Sequence, residues 1–352
     1  MAYTNIDDPS AYFQVATYTG NGSTQSITND GNSDMQPDWV WIKSRSNASW
    51  HSLQDSSRGA TKTLFTNTTN AEITYTDAQT SFDSDGFSLG ADTSGGSVNV
   101  SSRTYVAWNW KANGGTTSSN TDGTVTSTVQ VNQDAGFSIV TWTVGLGGGN
   151  HSVGHGLGVK PAMFITKSRG GTSYWTTWHQ GMAGDTSYVR LDATTQELTY
   201  SDIWGDGITS SVFGYNYPAT VYANQPYIAY CFAEKQGYSK FGKYVGNGNS
   251  NGPFVYTGFK PAFVMIKRTD TTGGWTIYDT KRGYNGNNYE LFPHSAEAEY
   301  TGTSYFEADI LSNGFKLRLT DGQINASGGS YIYTAFAENP FVTSTGIPTT
   351  AR

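Results

Sequence analysis

Lys260-Pro261-Ala262-Phe263-Val264-Met265-Ile266-Lys267 is a proline-led apolar run closed by a lysine, and the chain contains it three times. The counterparts are Lys160-Pro161-Ala162-Met163-Phe164-Ile165-Thr166-Lys167 and Gln36-Pro37-Asp38-Trp39-Val40-Trp41-Ile42-Lys43; each lysine follows its proline by six residues. Successive prolines lie 124 and 100 residues apart, the period of a small domain and not of a solenoid turn. A second string closes each copy: Tyr105-Val106-Ala107-Trp108-Asn109-Trp110, Tyr227-Ile228-Ala229-Tyr230-Cys231-Phe232 and Tyr331-Ile332-Tyr333-Thr334-Ala335-Phe336, spaced by 122 and 104. Between the strings lie a tryptophan (Trp50, Trp175, Trp275), a leucine (Leu64, Leu191, Leu291) and a turn pair (Asp85-Gly86, Asp206-Gly207, Asn313-Gly314). Asp-Gly and Asn-Gly tolerate positive φ in tight hairpins, so these pairs read as strand-to-strand turns.

Outward from these anchors, Tyr18-Thr19-Gly20-Asn21-Gly22 and Tyr244-Val245-Gly246-Asn247-Gly248 open the first and third copies, with Trp142-Thr143-Val144-Gly145 at the same place in the second. Three tandem modules are expected at residues 11–113, 134–235 and 238–341, each burying its own aromatic core. Asn113 to Gln133, rich in Gly, Ser, Thr and Asn, reads as a linker. Glu234-Lys235-Gln236-Gly237 is so short that modules two and three should pack together. Each module offers about seven short strands broken by turn residues, which predicts an all-β chain of antiparallel, jelly-roll-like β-sandwiches. In Phe13-Gln14-Val15-Ala16-Thr17-Tyr18 the odd members should face inward. The proline-led strands are apolar on both faces and should lie centrally, covered on two sides. Helix should be minor, with one turn at Ser295–Glu299 as its best candidate.

Composition agrees. Of 352 residues only 14% are charged and 36% hydrophobic, while aromatics reach 14% and glycines number 42, a balance that favours strands and turns over helices. Aromatics spread along the whole chain argue against disorder. The formal charge of -7, with 21 scattered basic residues, supplies no footprint for nucleic acid. No apolar run approaches the length of a spanning helix, so no membrane insertion is expected. The single cysteine, Cys231, precludes an intramolecular disulfide and reads as a buried thiol.

Several strings resemble a repeat family frequent in tailed-bacteriophage genomes, whose members are usually described as tail-fibre or virion structural proteins. They are Phe241-Gly242-Lys243-Tyr244-Val245-Gly246-Asn247-Gly248, Gly258-Phe259-Lys260-Pro261, Gly136-Phe137-Ser138-Ile139-Val140-Thr141-Trp142, Gly154-His155-Gly156-Leu157-Gly158 and Ala337-Glu338-Asn339-Pro340-Phe341. The similarity runs from about Phe13 to Arg352. It implies a virion component, assembled in the bacterial host cytoplasm, contacting other virion proteins and forming a homo-oligomer, with a trimer favoured. Without heptads or a Gly-x-y run, the chain lacks the shaft of a long fibre.

Catalysis has little support. Glycan hydrolysis needs two carboxylates about 5 to 10 Å apart; Asp83 with Asp85, Asp202 with Asp206, and Glu297 with Glu299 are candidates, each better explained by local structure. His151 and His155 sit among glycines, where turn hydrogen bonds explain them better than a metal does. Asp55 with Arg58 and Asp279 with Arg282 read as turn salt bridges, replaced in module two by His179-Gln180-Gly181. No catalytic residue, metal or cofactor is expected. Module two adds Trp175, Trp178, Trp204, Tyr215, Asn216 and Tyr217, beside Tyr174 and Tyr222. Aromatic faces stack on sugars while amides bind hydroxyls, so the cluster reads either as a platform for a host surface glycan or as a module interface with a polar rim. Three functions follow: a receptor-binding, lectin-like virion protein; a decoration or tail-joining protein that reinforces the particle; and a polysaccharide depolymerase.

Overall fold

A computed structural model describes residues 3–145, 147–217, 222–286, 289–301 and 308–349. β-Branched and aromatic side chains suit a pleated surface buried on both faces, and strands form at both repeated strings. The proline-led strings become the lysine strands Trp39–Ser44, Met163–Ser168 and Phe259–Arg268. The closing strings become the tyrosine strands Thr104–Trp110, Pro226–Phe232 and Ser330–Pro340. The two pair antiparallel in matched register: Trp41 lies opposite Trp108, Ile165 opposite Tyr230, Met265 opposite Thr334. An opening strand (Phe13–Thr19, Phe137–Thr143, Ser239–Val245) flanks each tyrosine strand, and a hairpin strand (Ser52–Asp55, Thr176–His179, Trp275–Asp279) flanks each lysine strand. The chain is all-β. Among the described residues the only helix is the 3-10 turn Pro9–Ala11, and Ser295–Glu299 is not helical.

These strands lie in large sheets of six, eight and four strands, and a small sheet backs each one: Gln25–Ile27 with Gly86–Leu89 and Gln79–Asp83; Gly149–Gly154 with Val212–Tyr217; Phe254–Tyr256 with Gly314–Leu317 and Ala308–Leu311. Between large and small sheets, Ala16, Val40, Phe87 and Leu89 cluster in the first repeat, and Val264, Ile266, Phe315 and Leu317 in the third. The other faces of the three large sheets meet in one shared core. Trp39, Trp41 and Trp110 converge there with Met163, Ile165 and Phe232 and with Phe263, Met265 and Phe336, around a residual gap of about 10 Å³. Ring centroids are 4.5 Å apart for Trp39 and Tyr230, 5.8 Å for Trp110 and Phe263, and 5.7 Å for Phe232 and Phe336, so each repeat touches both others. The expectation of a separate aromatic core in each copy is corrected in part: the first and third repeats keep clusters of their own, which include Phe87 with Tyr105 and Phe315 with Tyr331, while these largest rings lie between repeats. Phe13 and Val15 face the shared core, while Ala16 and Tyr18 face the first small sheet, so both parities of that strand are buried.

Register corrects other sequence matches. Asp55, His179 and Asp279 occupy the same rung, opposite Trp39, Met163 and Phe263. The residue matching Trp175 and Trp275 is therefore His51; Trp50 lies one position earlier and is 42% exposed. Likewise Leu64 and Leu291 match Val189, not Leu191, because Val189 is the residue opposite Thr177. A one-residue slip exchanges the faces of a strand, and an alignment by residue type cannot detect it. Asp85-Gly86 and Asn313-Gly314 close hairpins as expected, whereas Asp206-Gly207 belongs to consecutive turns closed by Gly205 N to Asp202 O and Gly207 N to Trp204 O. The expected linker is structured: it contributes Ser118–Asn120 and Ser127–Asn132 to the edge of the second sheet. Its start is held by the buried Asp38 carboxylate, which accepts from Ala112 N (2.7 Å), Gly114 N (2.9 Å), Gly115 N (2.9 Å) and Ser56 Oγ (2.6 Å).

Candidate functional site

The aromatic residues expected to meet a glycan are placed in the interior. Trp175 is fully buried and donates from Nε1 to Phe65 O (2.8 Å) of the first repeat; Trp178, 3% exposed, stacks on Phe164; Trp204 is buried and donates to Ser187 O (3.0 Å). Tyr215 is buried against Trp142 and His151. Asn216 donates to Asn150 Oδ1 (2.5 Å), and the side chain of Tyr217 lies outside the described residues. Four of the six thus have no ring face free for a sugar, because the hydrophobic gain from burying an indole or phenol within the fold has already been taken. Tyr174 and Tyr222 remain exposed.

Of the paired carboxylates, Asp83, Asp85 and Glu299 are also engaged. Asp83 accepts from Ser81 and Ser88, Asp85 from Met35 N, and Glu299 from Arg45 and Arg282. His151 donates to Gly147 O, and the buried His155 accepts from Leu157 N. Among the described residues no cluster of His, Cys, Asp and Glu has the makings of a metal site.

The polar groups concentrate instead at three junctions, arranged head to tail. Lys167 Nζ donates to Thr69 O (3.2 Å) of the first repeat, Lys267 Nζ to Thr194 O (3.2 Å) of the second, and Lys43 Nζ to Ala296 O (3.4 Å) of the third. Burial disfavours each ammonium and pushes all three down to about 8, partly opposed by Glu299 near Lys43 and Asp192 near Lys167. Main-chain bonds repeat the pattern: Glu72 N to Arg169 O (2.9 Å), Glu197 N to Thr269 O (3.0 Å) and Glu299 N to Arg45 O (2.8 Å). Trp275 Nε1 donates to Arg190 O (2.8 Å) as Trp175 does to Phe65 O.

The expected turn salt bridges are buried junction elements. Arg58 Nε meets Asp55 Oδ2 at 2.5 Å, both side chains fully buried, and Tyr230 of the second repeat donates to the same oxygen (2.7 Å). Arg282 and Asp279 repeat this at 2.5 Å, with Trp108 Nε1 of the first repeat donating to Asp279 (2.9 Å). His179 takes the carboxylate's place in the second repeat: Nδ1 accepts from Gly181 N, leaving Nε2 to donate to Tyr333 O (3.0 Å) of the third. Burial pushes this imidazole down to about 4, with the Tyr333 carbonyl opposing. The carbonyls that accept from Lys43, Lys167, Lys267 and His179 lie more than 70 residues away and leave no motif.

A cleft of about 430 Å³ lies where the third repeat meets the first. Gln14, Val15, Asp30, Lys281, Tyr284 and Glu338 are among its walls. Lys281 pairs with Asp30 (2.8 Å) on its exposed side. Glu338 Oε1 accepts from Lys260 Nζ (2.9 Å), which also lies over the Tyr284 ring. Burial opposes the Lys260 charge, but the bond to Glu338, that carboxylate's charge and Tyr284 together raise its pKa. Glu338 Oε2 is buried and has no hydrogen-bond partner among the described residues.

A family model described as a domain of unknown function (DUF7483) matches residues 8–340. The chain belongs to the DUF7483 family. No curated protein and no solved structure matches it. The DUF7483 match spans the residues of all three large sheets and both joins.

Proposed function

We propose that this DUF7483 protein is a non-enzymatic structural component of a tailed-bacteriophage particle, a decoration or joining protein that reinforces the assembly. The resemblance of its repeated strings to virion proteins supplies the location. One observation supports a reinforcing role over a lectin-like one: Trp175, Trp178, Trp204 and Tyr215 are spent on internal packing, so the expected glycan platform loses most of its stacking faces. The homo-oligomer rests on that resemblance; the apolar strands add no support for it, because the other repeats of the same chain cover them. Particles lacking the protein are expected to adsorb to the host normally and to break at lower temperature or milder osmotic shock. Lost adsorption with unchanged robustness would refute the proposal in favour of receptor binding, and release of reducing ends from host polysaccharide would refute it in favour of a depolymerase.

A further inference from the structure

Antiparallel pairing alternates bonded and unbonded rungs, so an edge strand turns every second residue's main chain outward. For Phe13–Thr19 the parity is fixed by Lys111 N to Tyr12 O (2.9 Å) and Gly20 N to Arg103 O (2.8 Å). Gln14, Ala16 and Tyr18 therefore bond the tyrosine strand, while Phe13, Val15 and Thr17 direct N–H and C=O away from it. The same parity holds in the other repeats, and there the residues that match Val15 have outward partners. Ile139, the counterpart of Val15, lies opposite Gln130 of the added strand Ser127–Asn132. Phe241, the third counterpart, donates to Glu234 Oε2 (3.2 Å) and accepts from Gln180 Nε2 (2.7 Å). Val15 makes no outward hydrogen bond to any described residue, and it lines the 430 Å³ cleft.

We propose that this cleft accepts an extended strand of another polypeptide, paired to the outer edge of Phe13–Thr19 as Ser127–Asn132 is paired to Phe137–Thr143. The chain's own occupant of the equivalent edge defines the chemistry. Gln130 accepts from Gly115 N (2.8 Å) and donates to Ser56 Oγ (2.9 Å) and Ser57 Oγ (2.8 Å) at the end of the first hairpin. Thr280 and Lys281 hold the matching positions at the end of the third hairpin, and both line the cleft. Glu338 matches Glu234, whose two oxygens bind Lys240 Nζ, Phe241 N and Gln180. Glu338 uses only one oxygen, leaving Oε2 to accept from an amide, hydroxyl or ammonium of the incoming strand. The Lys281–Asp30 pair bridging the exposed side is solvated, so opening it costs little. Main-chain pairing supplies the affinity and the residue facing Thr280 and Glu338 the selectivity, the recognition mode of β-strand addition. The proposal goes beyond the reinforcing role and stands without it.

The test is amide hydrogen exchange on the full chain, with and without a capped synthetic peptide bearing its own Ser127–Asn132 sequence. In the free protein, Phe13, Val15 and Thr17 amides should exchange faster than those of Gln14, Ala16 and Tyr18. Saturating peptide should slow the first set at least about tenfold, the effect of one new net hydrogen bond, and leave the second set unchanged. Thr17→Pro removes an outward N–H without touching the ladder and should weaken binding by about tenfold; a peptide with leucine in place of its glutamine should weaken it similarly. Equal protection of Val15 and Gln14 in the free protein would overturn the proposal, as would unchanged exchange at millimolar peptide. Concentration-dependent self-association protecting the same amides would reassign the cleft to a second copy of this chain.

Discussion

Raising the pH from 7 to 9 should stabilise this protein. Lys43, Lys167 and Lys267 are held near 8 in the folded state, against an ordinary value near 10.5. Below pH 8 both folded and unfolded chains carry these protons. Above it the folded chain releases them while the unfolded chain keeps them, so the unfolded state binds more protons and stability rises with pH. One pH unit above the folded value corresponds to ~1.3 kcal/mol per lysine, about 4 kcal/mol for three, and roughly half that once local relaxation and water entry are allowed for. Two groups oppose the trend. Burial raises the Cys231 thiol despite the neighbouring Ser138 hydroxyl, so its contribution to stability is lost as the unfolded thiol ionises, ~0.8 kcal/mol by pH 9. The buried tyrosines, also raised by burial, together cost under about 1 kcal/mol at that pH, since unfolded phenols ionise only near 10. The experiment is urea unfolding of a Cys231→Ala protein at pH 7, 8 and 9, followed by tryptophan fluorescence, beside the same protein with all three lysines changed to methionine. The Cys231→Ala protein should gain about 2 kcal/mol across this range and the methionine variant nothing. A flat or falling stability in the Cys231→Ala protein would refute the placement of three ammonium groups inside the junctions.

On the acid side, burial pushes His155, His179 and His294 down to about 4, so the unfolded chain gains their protons first; stability should fall from pH 6.5 to 4 by up to about 3 kcal/mol per ring, and His179→Gln should flatten the curve by one proton in the same assay. Asp55→Ala leaves the Arg58 guanidinium buried without its nearest charge and should cost about 3–5 kcal/mol in urea unfolding; Asp55→Leu combined with Arg58→Met should cost clearly less. Residues 134–235 expressed alone expose the shared-core faces of Met163, Ile165, Tyr230 and Phe232, and should bind a hydrophobic dye and self-associate on size-exclusion chromatography; a dispersed monomeric amide spectrum would contradict the shared core.

The fold class was legible because it depends on residue type. Strings such as Val264-Met265-Ile266 or Tyr227-Ile228-Ala229-Tyr230 form buried strands wherever they occur, and their spacing carried the register of the lysine and tyrosine strands correctly into all three sheets. What was not legible was partnership. A tryptophan wanted by a sugar and one wanted by a neighbouring repeat have the same composition and similar surroundings in sequence, so Trp175 and Trp178 could be read as binding residues although the structure buries both. His51 standing where Trp175 and Trp275 stand was hidden by the adjacent Trp50, which matched by type and missed by one position. The junction lysines were visible as a motif, but their acceptors are carbonyls of Thr69, Thr194 and Ala296, and a main-chain acceptor leaves no mark on sequence.

The three junctions differ in how the chain connects them. The first and second repeats are joined by the chain through Asn113–Gln133, and the second and third through Glu234–Gly237, so tethering keeps those faces at high effective concentration. No such covalent join brings the third repeat to the first, and that contact must be held by side chains and packing. It is there that Glu299 accepts from both Arg45 and Arg282, that Trp108 donates to Asp279, and that Lys281 pairs with Asp30. The second-to-third junction has a neutral histidine and a glutamine in the corresponding places. The first-to-second junction has the same charged set, with Glu72 accepting from both Arg58 and Arg169 and Tyr230 donating to Asp55, so covalent connection does not decide where charge is placed. The same junction has the open cleft, because the linker that supplies Gln130 to the first-to-second junction has no counterpart on the path from the third repeat back to the first. Among the described residues, closing the ring by contacts alone leaves the Phe13–Thr19 edge without a partner strand, and that edge is where the incoming chain is placed once the Lys281–Asp30 pair opens.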